Sequence, residues 1–587
     1  MLLRRLAQAA VPLASGVAYT LTATREILGG DTGELASAGV SAAVPHPPGY
    51  PLFVLWCQAW RWLPAASPAH RVALATAIAG ALAIDALVRA CRAWGATPIA
   101  SAIGAAIFAV SPLMWRLSTE PEVFALNVLI VLTLVRIAGP TTLSPMGELR
   151  RAWLLALLAG LGIANHHTCV LIAPLGLFSW RRAVRAAPRP LLAVAGSLGA
   201  LTIGLTPYLF LIVRSRSMPV GSNCDWGDTS TLSGLLHHFL RRDYGTTSLA
   251  SGDDPHEPFG QLALLGRSSL ESGIGPLAVV AALAAAAKRR FSWAFAMLVL
   301  SIALAGPLLI LRFNLPPRNL MALVVERFHL LPLSLASIVA ARGIDVIASG
   351  LQSASFRKGV VATSIASIAT RGAITLYDVL ATHRPTTESY LRNVLAMLPE
   401  RSILLANGDD VVGGLEYMQC TMRERRDVVV VAPRLLLAEW YARRIEAQLG
   451  QPVEHGVVPP RERVPVLSSL RLVSQLLETG RPVYVTSWFA RDLDTTFPSY
   501  PIGPLIRLTR TPAEVPSPHE LMERNEALFA KLTLDATPPA AHTWAGARYQ
   551  DYARPWFVLS QALATADDME ASGRCRARGA ALLPRAR

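Results

Sequence analysis

The sequence predicts a mainly α-helical, polytopic membrane protein, a bundle of about eleven transmembrane helices joined to a C-terminal extramembrane α/β domain. Three observations predict it. Hydrophobic residues make up 52% and charged residues 16% of the 587 residues, which is too apolar for a soluble chain of this length. Apolar runs of membrane-spanning length recur over roughly the first 380 residues. The remainder alternates short β-rich and amphipathic segments.

Each predicted span follows from an apolar run, because about 20 residues are needed to cross roughly 30 Å of hydrocarbon. The two runs that flank Asn165 are short, and we interpret them as half-length helices that meet near the outer leaflet. The predicted spans are residues 6–24, 72–93, 98–115, 123–137, 153–163, 170–178, 191–213, 273–287, 291–311, 330–341 and 359–380.

Basic residues between the spans set the predicted orientation. With the N-terminus in the cytoplasm, as expected for an uncleaved signal anchor, the basic loops near Arg89, Arg150, Arg181 and Lys288 all face the cytoplasm. Asp85 lies four residues before Arg89, so we expect the two to pair along one helix face.

We divide the chain into a transmembrane domain at residues 1–381, an outward-facing α/β domain at 382–566 and a flexible, Ala- and Arg-rich tail at 567–587. The large outer loops of the transmembrane domain are residues 27–71 and 214–272. The polar chemistry is therefore predicted to lie on one side of the membrane.

The α/β domain is predicted from its alternation of segments. Its expected elements are strands at 402–406, 427–431 and 483–486 and helices at 411–425 and 435–449. The turn at 407–410 (NGDD) follows the first strand, at the position where sheets of this class bind ligands. The same residue types also form ordinary turns, so both interpretations stay open.

The composition excludes several function classes. The formal charge of +15 does not indicate a nucleic-acid partner, because the basic residues cluster between apolar segments. The six cysteines are scattered without zinc-finger spacing, so we interpret them as packing residues rather than as disulfides or metal ligands. No Walker A motif is present, which leaves ATP-driven transport without support.

Two carboxylates follow the first predicted span. Asp31 and Glu34, within residues 29–34 (GGDTGE), would lie at the membrane surface, where an uncompensated charge usually has a function. If a helix begins after Gly33, the two share one face, and a carboxylate in a partly dehydrated loop suits general-base catalysis. Alternatively, Asp31 or Thr32 caps that helix and Glu34 is favourable in its first turn.

The run at residues 46–51 (HPPGYP) cannot continue a helix. It holds His46 and Tyr50 at fixed positions before a Trp-rich amphipathic stretch, which we interpret as an interfacial helix. The alternative is a purely structural corner.

A third polar group lies at the predicted outer mouth of two spans and between the two short helices. It comprises Glu120, Glu122, Asn127, Asn165, His166 and His167. Adjacent histidines point to different faces, and no His-Glu-x-x-His motif is present, so no metal site is predicted. Hydrogen bonding to a phosphate or a sugar is the better functional interpretation.

The fourth group lies in later outward-facing segments. It comprises Trp226, Asp228, Arg241, Arg242, Tyr244, Arg327 and His329. Aromatic faces, hydroxyl acceptors and guanidinium forks are what recognition of a sugar phosphate requires. Anchoring of Arg, Trp and Tyr in the membrane interface is the alternative.

These motifs, in this order, resemble the multi-spanning protein O-mannosyltransferases that act on plexin-type IPT domains, together with their bacterial relatives, a branch of the glycosyltransferase-C superfamily. The resemblance covers roughly residues 6–449. The eukaryotic members end in helical repeats, whereas this chain is predicted to end in an α/β region, which leaves the acceptor open. The matching runs are residues 30–34, 46–50, 122–127, 165–168, 226–228 and 239–245.

The resemblance implies a transferase that takes a sugar, mannose, from a polyprenyl phosphate on the non-cytoplasmic face, with Asp31 as the catalytic acidic residue and Glu34 in support. An acceptor hydroxyl needs a base as it attacks the anomeric carbon. Arg327, His329 or the two adjacent histidines would stabilise the departing lipid phosphate. We expect inversion at the anomeric carbon through an oxocarbenium-like transition state. We also expect no metal or other cofactor, because a monophosphate leaving group carries less charge than a pyrophosphate.

Other functions stay open. A transferase of the same fold that acts on a lipid or cell-wall glycan would use the same donor chemistry. A polyprenyl-sugar flippase or other transporter would instead place essential charges near the membrane midplane and show repeat symmetry. The sequence does not set the oligomeric state. Its excess of Arg over Lys suggests a GC-rich bacterial genome, and hence the inner membrane with a periplasmic active site.

Overall fold

The computed structural model describes most of the chain as helices. The described residues are 2–219, 221–246, 257–287, 292–350, 353–453, 466–486 and 496–584. The basic loop predicted at Lys288 lies outside them, as do residues 247–256 of the predicted second outer loop and the last three residues of the predicted tail.

The α-helices of the described residues follow one another closely along the chain. In chain order they are α1 (Leu2–Thr22), α2 (Thr32–Ser41), α3 (Pro51–Ala59), α4 (Pro68–Ala93), α5 (Pro98–Ala109), α6 (Pro112–Thr119), α7 (Phe124–Ile137), α8 (Pro145–Asn165), α9 (Ala173–Ala186), α10 (Pro190–Leu205), α11 (Pro207–Ser217), α12 (Leu232–Phe239), α13 (Pro258–Glu271), α14 (Ile274–Ala287), α15 (Trp293–Ala303), α16 (Asn319–Glu326), α17 (Leu330–Gly350), α18 (Ala354–Thr382), α19 (Thr386–Met397), α20 (Asp409–Cys420), α21 (Glu439–Leu449), α22 (Val466–Glu478), α23 (Pro518–Phe529), α24 (Trp544–Thr565) and α25 (Met569–Leu582).

Short strands and helical turns lie between these helices. The strands are β1 (Ile403–Leu405), β2 (Val429–Val431), β3 (Val483–Thr486), β4 (Ser499–Ile502) and β5 (Leu505–Leu508). The 3₁₀ turns are His167–Ile172, Arg242–Tyr244, Arg327–His329, Pro433–Leu437 and Pro512–Glu514, and a π-helical turn spans Leu304–Leu308.

Two compact units make up the chain. The first comprises Met1–Arg25, Val44–Arg216 and Thr229–His383, and the second comprises Glu26–Ala43, Ser217–Asp228 and Arg384–Arg587. The sequence analysis assigned residues 27–71 and 214–272 to loops of the transmembrane domain. Parts of both loops instead belong to the same unit as the C-terminal residues.

Capping residues explain where several helices of the first unit begin. Ser67, Thr97 and Ser144 each accept a hydrogen bond from the backbone N–H three residues later, and proline occupies the next position, at the start of α4, α5 and α8. The ion pair predicted on α4 is confirmed, with Arg89 Nε 2.6 Å from Asp85 Oδ2.

Helices of the first unit approach closely through small residues. A Cβ added to Gly160 of α8 would meet the backbone of α10 at Gly204, and a Cβ on Gly204 would meet Gly160 Cα at 2.8 Å. Such small-residue contacts are typical of helix pairs in membranes. On the other side of α10, Leu191, Leu198 and Ile203 are exposed, as expected for a surface that faces lipid.

Four helical stretches among the described residues are long and apolar enough to cross a membrane. They are Pro68–Ala93, Pro190–Ser217, Asn319–Gly350 and Lys358–Met397. A bent pair, Pro98–Ala109 with Pro112–Thr119, would make a fifth. The membrane assignment is therefore supported, whereas the count of about eleven spans stays a prediction.

The second unit contains a five-stranded sheet in the order β2-β1-β3-β5-β4. β1 pairs in parallel with β2 and β3, and the hairpin β4–β5 adds to β3 in antiparallel fashion. The three strands and two helices predicted in this region are all present, with shifted ends. The hairpin was not predicted.

The predicted flexible tail is wrong for its described part. Residues Met569–Leu582 form α25, and Ala571 and Cys575 are buried against Trp556 and Leu563 of α24. Alanine and arginine favour helices, and a stripe of small residues is enough to dock this one.

The interpretation of the cysteines as packing residues is also wrong for two of them. Cys224 and Cys420 form a disulfide within the second unit, whereas the other four cysteines are free and buried as expected. The paired cysteines are 196 residues apart in sequence, so no spacing rule could find them.

Candidate functional site

The first unit gathers several of the predicted site residues around His166. The Tyr50 ring stacks on the His166 ring with centroids 5.7 Å apart and an interplanar angle of 15°. The Tyr50 hydroxyl lies 2.9 Å from His46 Nε2. Phe124 and Phe328 contact other sides of His166, with centroid distances of 5.1 and 6.1 Å. We call these five residues, together with Arg327, the His166 cluster.

Local backbone structure places these side chains. His166 is the C-cap of α8, where an extended residue stops the helix before a 3₁₀ turn. Tyr50 caps the start of α3 with φ of 39°, a left-handed conformation that is uncommon for a tyrosine. Such strained residues concentrate at functional sites, and this one aims its ring at His166.

A buried ion pair supplies the charge of the cluster. Arg327 Nη1 lies 2.9 Å from Glu122 Oε1, and both side chains are largely buried. Glu122 precedes α7, where the helix N-terminus favours a carboxylate. The Arg327 guanidinium also lies 5.8 Å from the Phe124 ring centroid, a cation–π distance.

Side-chain amides fix the turn that carries the two histidines. Asn165 Nδ2 donates to the Val123 carbonyl at 3.2 Å, and Asn127 Nδ2 donates to Thr168 Oγ1 at 3.2 Å. Thr168 Oγ1 lies 2.8 Å from His166 Nδ1. The predicted residues Asn127 and Asn165 therefore orient His166.

His167, the end of α12 and the turn that follows α12 lie next to the His166 cluster in the same unit. The His167 ring meets Phe239 edge-on at 4.8 Å, and its Nε2 lies 3.3 Å from the Tyr208 hydroxyl. The Arg241 guanidinium lies 5.2 Å from the Tyr244 ring centroid, and Tyr244 is 6.4 Å from the His46 ring.

Positive charge converges on these histidines. Burial, followed by the nearby charges of His167, Arg241, Arg327 and His46, lowers the pKa of His166 well below its usual value. Burial and then Arg241 lower the pKa of His167 to about 4. Both shifts favour the neutral imidazoles, so the positive charge near them at pH 7 comes from the guanidinium groups of Arg241 and Arg327, the latter paired with Glu122. The part of this charge that Glu122 does not neutralise favours an anionic ligand.

His238, which directly precedes the matching run 239–245, also belongs to this region. Burial, and then the charge of His46, lower its pKa to about 3, and its Nε2 lies 3.1 Å from the Pro45 carbonyl. A Cβ on Gly49 would lie 3.1 Å from that nitrogen and would also collide with Leu211, so this corner requires glycine.

Three predicted residues of the first unit lie in other surroundings. Glu120 faces His383 at 3.8 Å. His329 is fully buried, with Nδ1 2.9 Å from Ser268 Oγ. Arg242 is exposed in a 3₁₀ turn. Their predicted roles in donor binding stay predictions.

Asp31 and Glu34 belong to the second unit, at the start of α2. Asp31 occupies the N-cap position, but its side chain does not make the capping hydrogen bond. The Thr32 hydroxyl instead accepts from the Leu28 and Gly29 N–H groups at 3.0 Å each and donates to the Gly29 carbonyl at 2.8 Å. Thr32 thus fixes the turn, and capping does not explain the Asp31 carboxylate.

Glu34 lies on the face of α2 that contacts α20. A Cβ added to Gly33 would lie 2.8 Å from Gly414 Cα, so the two helices touch through glycines. Burial raises the pKa of Glu416, and the charge of Glu34 raises it further. Arg444, 2.7 Å from the Glu416 carboxylate, acts in the opposite direction and lowers this pKa. Glu34 therefore faces a buried, arginine-held carboxylate.

Trp226 and Asp228 also belong to the second unit, where they contact α21. The Trp226 ring lies 4.7 Å from the Trp440 ring, and Asp228 Oδ2 lies 3.3 Å from Arg443. These contacts attach residues 217–228 to the C-terminal part of the unit. The donor-binding role predicted for both residues stays a prediction.

One residue of the turn at 407–410, Asp410, has a structural role, whereas ligand binding by the turn stays a prediction. Asp410 is buried at the start of α20, 3.4 Å from Arg548 Nε, and Arg548 Nη1 lies 2.8 Å from Asp551. Across the described ranges, no group of three or more His, Cys, Asp or Glu side chains could hold a metal ion.

Sequence reasoning did not select Phe124, Phe328 or His238 as individual site residues. Phe124 lies within the matching run 122–127, Phe328 follows Arg327, and His238 directly precedes the matching run 239–245. Aromatic residues in apolar runs carry no signal of their own, because core packing explains them equally well.

Comparisons with known proteins agree with the family resemblance that the motifs indicated. A profile of the Protein O-mannosyl-transferase TMEM260 N-terminal domain matches residues 31–183. Protein O-mannosyl-transferase TMEM260 of Mus musculus is 31% identical over 468 residues, which is 75% of this chain and 65% of that protein. The Dictyostelium discoideum protein of the same name is 24% identical over 515 residues, or 80% and 62%. The chain thus spans somewhat less than two thirds of the length of these relatives.

Among solved structures, the fold is similar to ArnT from Cupriavidus metallidurans. The form bound to undecaprenyl phosphate gives a TM-score of 0.52 at 15% identity and covers 86% of this chain and 99% of that one. The apo form gives a TM-score of 0.51 at 15% identity, with 86% and 98% covered. At this identity the likeness shows the fold alone. The resemblance in sequence to the protein O-mannosyltransferases, which the motifs indicated, is confirmed, and the fold is similar to that of ArnT.

Proposed function

From this resemblance in sequence and fold, we propose that the chain is a membrane glycosyltransferase. It moves a sugar, mannose, from a polyprenyl-phosphate donor to an acceptor hydroxyl on protein Ser or Thr, on the non-cytoplasmic face and with inversion. The observation that carries the proposal is the convergence of basic and aromatic side chains on His166.

The His166 cluster suits the donor headgroup. Arg327 supplies a guanidinium that can grip phosphate oxygens, and Arg241 adds positive charge to the same region. The stacked Tyr50 and Phe124 rings present faces suited to the apolar side of a sugar. The undecaprenyl phosphate bound to the similarly folded ArnT supports a lipid-phosphate ligand of this kind.

The reaction requires an acid–base group and a stabilised leaving group. Asp31 takes the proton of the acceptor hydroxyl as its oxygen bonds to the anomeric carbon. The bond from that carbon to the phosphate oxygen breaks with its electron pair, and polyprenyl phosphate leaves. Arg327 stabilises the charge that develops on the phosphate. A single displacement inverts the anomeric carbon. Because Arg327 and Arg241 supply positive charge for the leaving phosphate, the proposed reaction needs no metal.

The location of the chemistry is proposed from the disulfide. Disulfides persist in oxidising compartments, and the Cys224–Cys420 pair lies in the unit that contains Asp31 and Glu34. This supports a non-cytoplasmic position for the second unit. In a bacterium the corresponding compartment is the periplasm, with the protein in the inner membrane.

A donor and acceptor panel tests the proposal. Purified protein is incubated with polyprenyl-phosphate mannose and with the glucose equivalent, each with a Ser/Thr-containing protein acceptor, a lipid acceptor or a cell-wall glycan. We expect a mannosylated protein with inverted linkage. Transfer only to lipid or glycan would move the assignment to that acceptor class. Retained configuration would exclude the single displacement, and no turnover of any lipid-linked sugar would exclude the function.

A further inference from the structure

The loop that carries Asp31 is held by residues far along the chain within the second unit. The Ile27 N–H donates to Glu388 Oε2 at 3.2 Å, and the Thr387 hydroxyl donates to the Leu28 carbonyl. These contacts fix the chain just before the two glycines. The backbone of residues 27 and 28 is thus tied to α19.

Trp544, the first residue of α24, covers the two glycines themselves. A Cβ added to Gly29 would overlap Trp544 Cβ and Cγ and lie 2.8 Å from Cδ1. A Cβ on Gly30 would lie 3.5 Å from Trp544 Cζ2. Both glycines have positive φ, 152° and 55°, so their conformations favour glycine as well. The indole therefore lies directly on the backbone that leads into Asp31.

The first turns of α24 are held by a helix cap and by buried ion pairs. Thr543 caps the helix by accepting from the Gly546 N–H at 3.0 Å. One turn later, Arg548 bonds Asp551 and pairs with Asp410 at the start of α20. Its guanidinium also lies 5.2 Å from the Tyr390 ring of α19. This buried network joins α24 to the two helices that also hold the Asp31 loop and α2.

We infer that Trp544 is a positioning residue for Asp31: its indole fixes the Gly29–Gly30 backbone and so sets where the Asp31 carboxylate lies. The inference rests on the proposed function for its consequence in catalysis. It assigns the C-terminal part of the chain a role in the chemical step, in addition to any role in acceptor recognition. Misplacing a catalytic group by about 1 Å can cost on the order of a hundredfold in rate.

The test compares two tryptophans of the same helix in the full-length protein. Trp544→Ala and Trp544→Phe are measured beside Trp556→Phe, because Trp556 is fully buried in a core that involves α23 and α25 and does not include the loop. For each variant, kcat and KM for polyprenyl-phosphate mannose are measured, together with hydrogen exchange of peptides covering residues 27–35 and the melting temperature.

We expect Trp544→Ala to lower kcat by about tenfold to a hundredfold while KM changes by less than about twofold. The 27–35 peptides should exchange faster, and Trp544→Phe should recover most of both effects. Trp556→Phe should lower the melting temperature but keep the kcat and loop exchange of the wild type. Gly29→Ala, which introduces the overlap from the other side, should reproduce the Trp544→Ala kinetics.

Two results would overturn the inference. One is a Trp544→Ala protein with wild-type kcat and wild-type exchange in the loop. The other is an equal loss of kcat in Trp556→Phe, which would trace the effect to general destabilisation. If the wild type turns over no lipid-linked sugar, the proposed function fails. Loop exchange in the same variants then decides by itself whether Trp544 orders the Asp31 loop.

Discussion

Arg327 and Glu122 form a buried ion pair, 2.9 Å between Nη1 and Oε1, beside the His166 ring. The two residues are 205 positions apart in the chain. Glu122 lies just before α7, and Arg327 directly follows α16. Because both charges are removed from water, neither is tolerated alone. The pair therefore holds a guanidinium in the cluster that we propose binds the donor phosphate.

Substitution of Arg327 tests the proposed phosphate contact. We predict that Arg327→Ala lowers kcat/KM for the donor by about a hundredfold or more, because it removes phosphate stabilisation and leaves Glu122 unpaired. Arg267→Ala serves as the control, since that arginine pairs with Glu271 on an exposed helix face. The control should lose less than about 1 kcal/mol of stability and keep its activity.

A double-mutant cycle separates the two effects of Arg327. If Arg327 only neutralises Glu122, then Glu122→Gln combined with Arg327→Met should restore activity. We predict that it restores stability but not kcat, because the phosphate contact is still missing. Full recovery of kcat in the double variant would contradict a role in leaving-group stabilisation.

Buried histidines make the stability depend on pH, and His238 contributes together with His166 and His167. The pKa of His238 in the folded protein is about 3, lowered mainly by burial, against about 6.5 when unfolded. The unfolded chain therefore binds more protons between these values, so the His238 contribution is present above pH 6.5 and is lost as the pH falls toward 3. We predict a melting temperature that declines below pH 6.5. His238→Gln should flatten this decline, and an unchanged slope would contradict the assignment.

The disulfide is a further testable feature of the second unit. We predict that Cys224→Ser lowers the free energy of unfolding by about 2–5 kcal/mol, measured by denaturant titration of the purified protein. Cys575→Ala, which replaces a free cysteine of the same unit, serves as the control. Mass spectrometry after alkylation without reduction should find Cys224 and Cys420 unmodified. Labelling of both would contradict the pairing.

The parts of the site that sequence reasoning found share one local signature. His46, Tyr50, Glu122 and His166 are polar or proline-flanked residues at the ends of apolar runs, where a membrane chain has little reason to keep them without function. These residues share their surroundings because the start of α3, the start of α7 and the end of α8 meet around His166. A single sequence is therefore enough to select these residues as candidates for the site.

The parts that were missed depend on contacts between distant segments. The Cys224–Cys420 pair and the Trp544 contact with Gly29 join residues separated by about two hundred or more positions, and no local pattern marks either partner. Composition alone also misled in the described part of the tail, because an Ala- and Arg-rich sequence can be either a solvated tail or a docked helix. The burial of Ala571 and Cys575 decides in favour of the docked helix.

The most direct test of the central claim is the activity of Asp31→Asn. Wild type and variant are purified side by side, and the transfer of mannose from polyprenyl-phosphate mannose to a protein acceptor is measured at matched protein concentration. We predict a loss of kcat of at least about a hundredfold with little change in donor KM, because asparagine keeps the shape and removes the base. Equal turnover by the two proteins would contradict the assignment of Asp31 as the catalytic base.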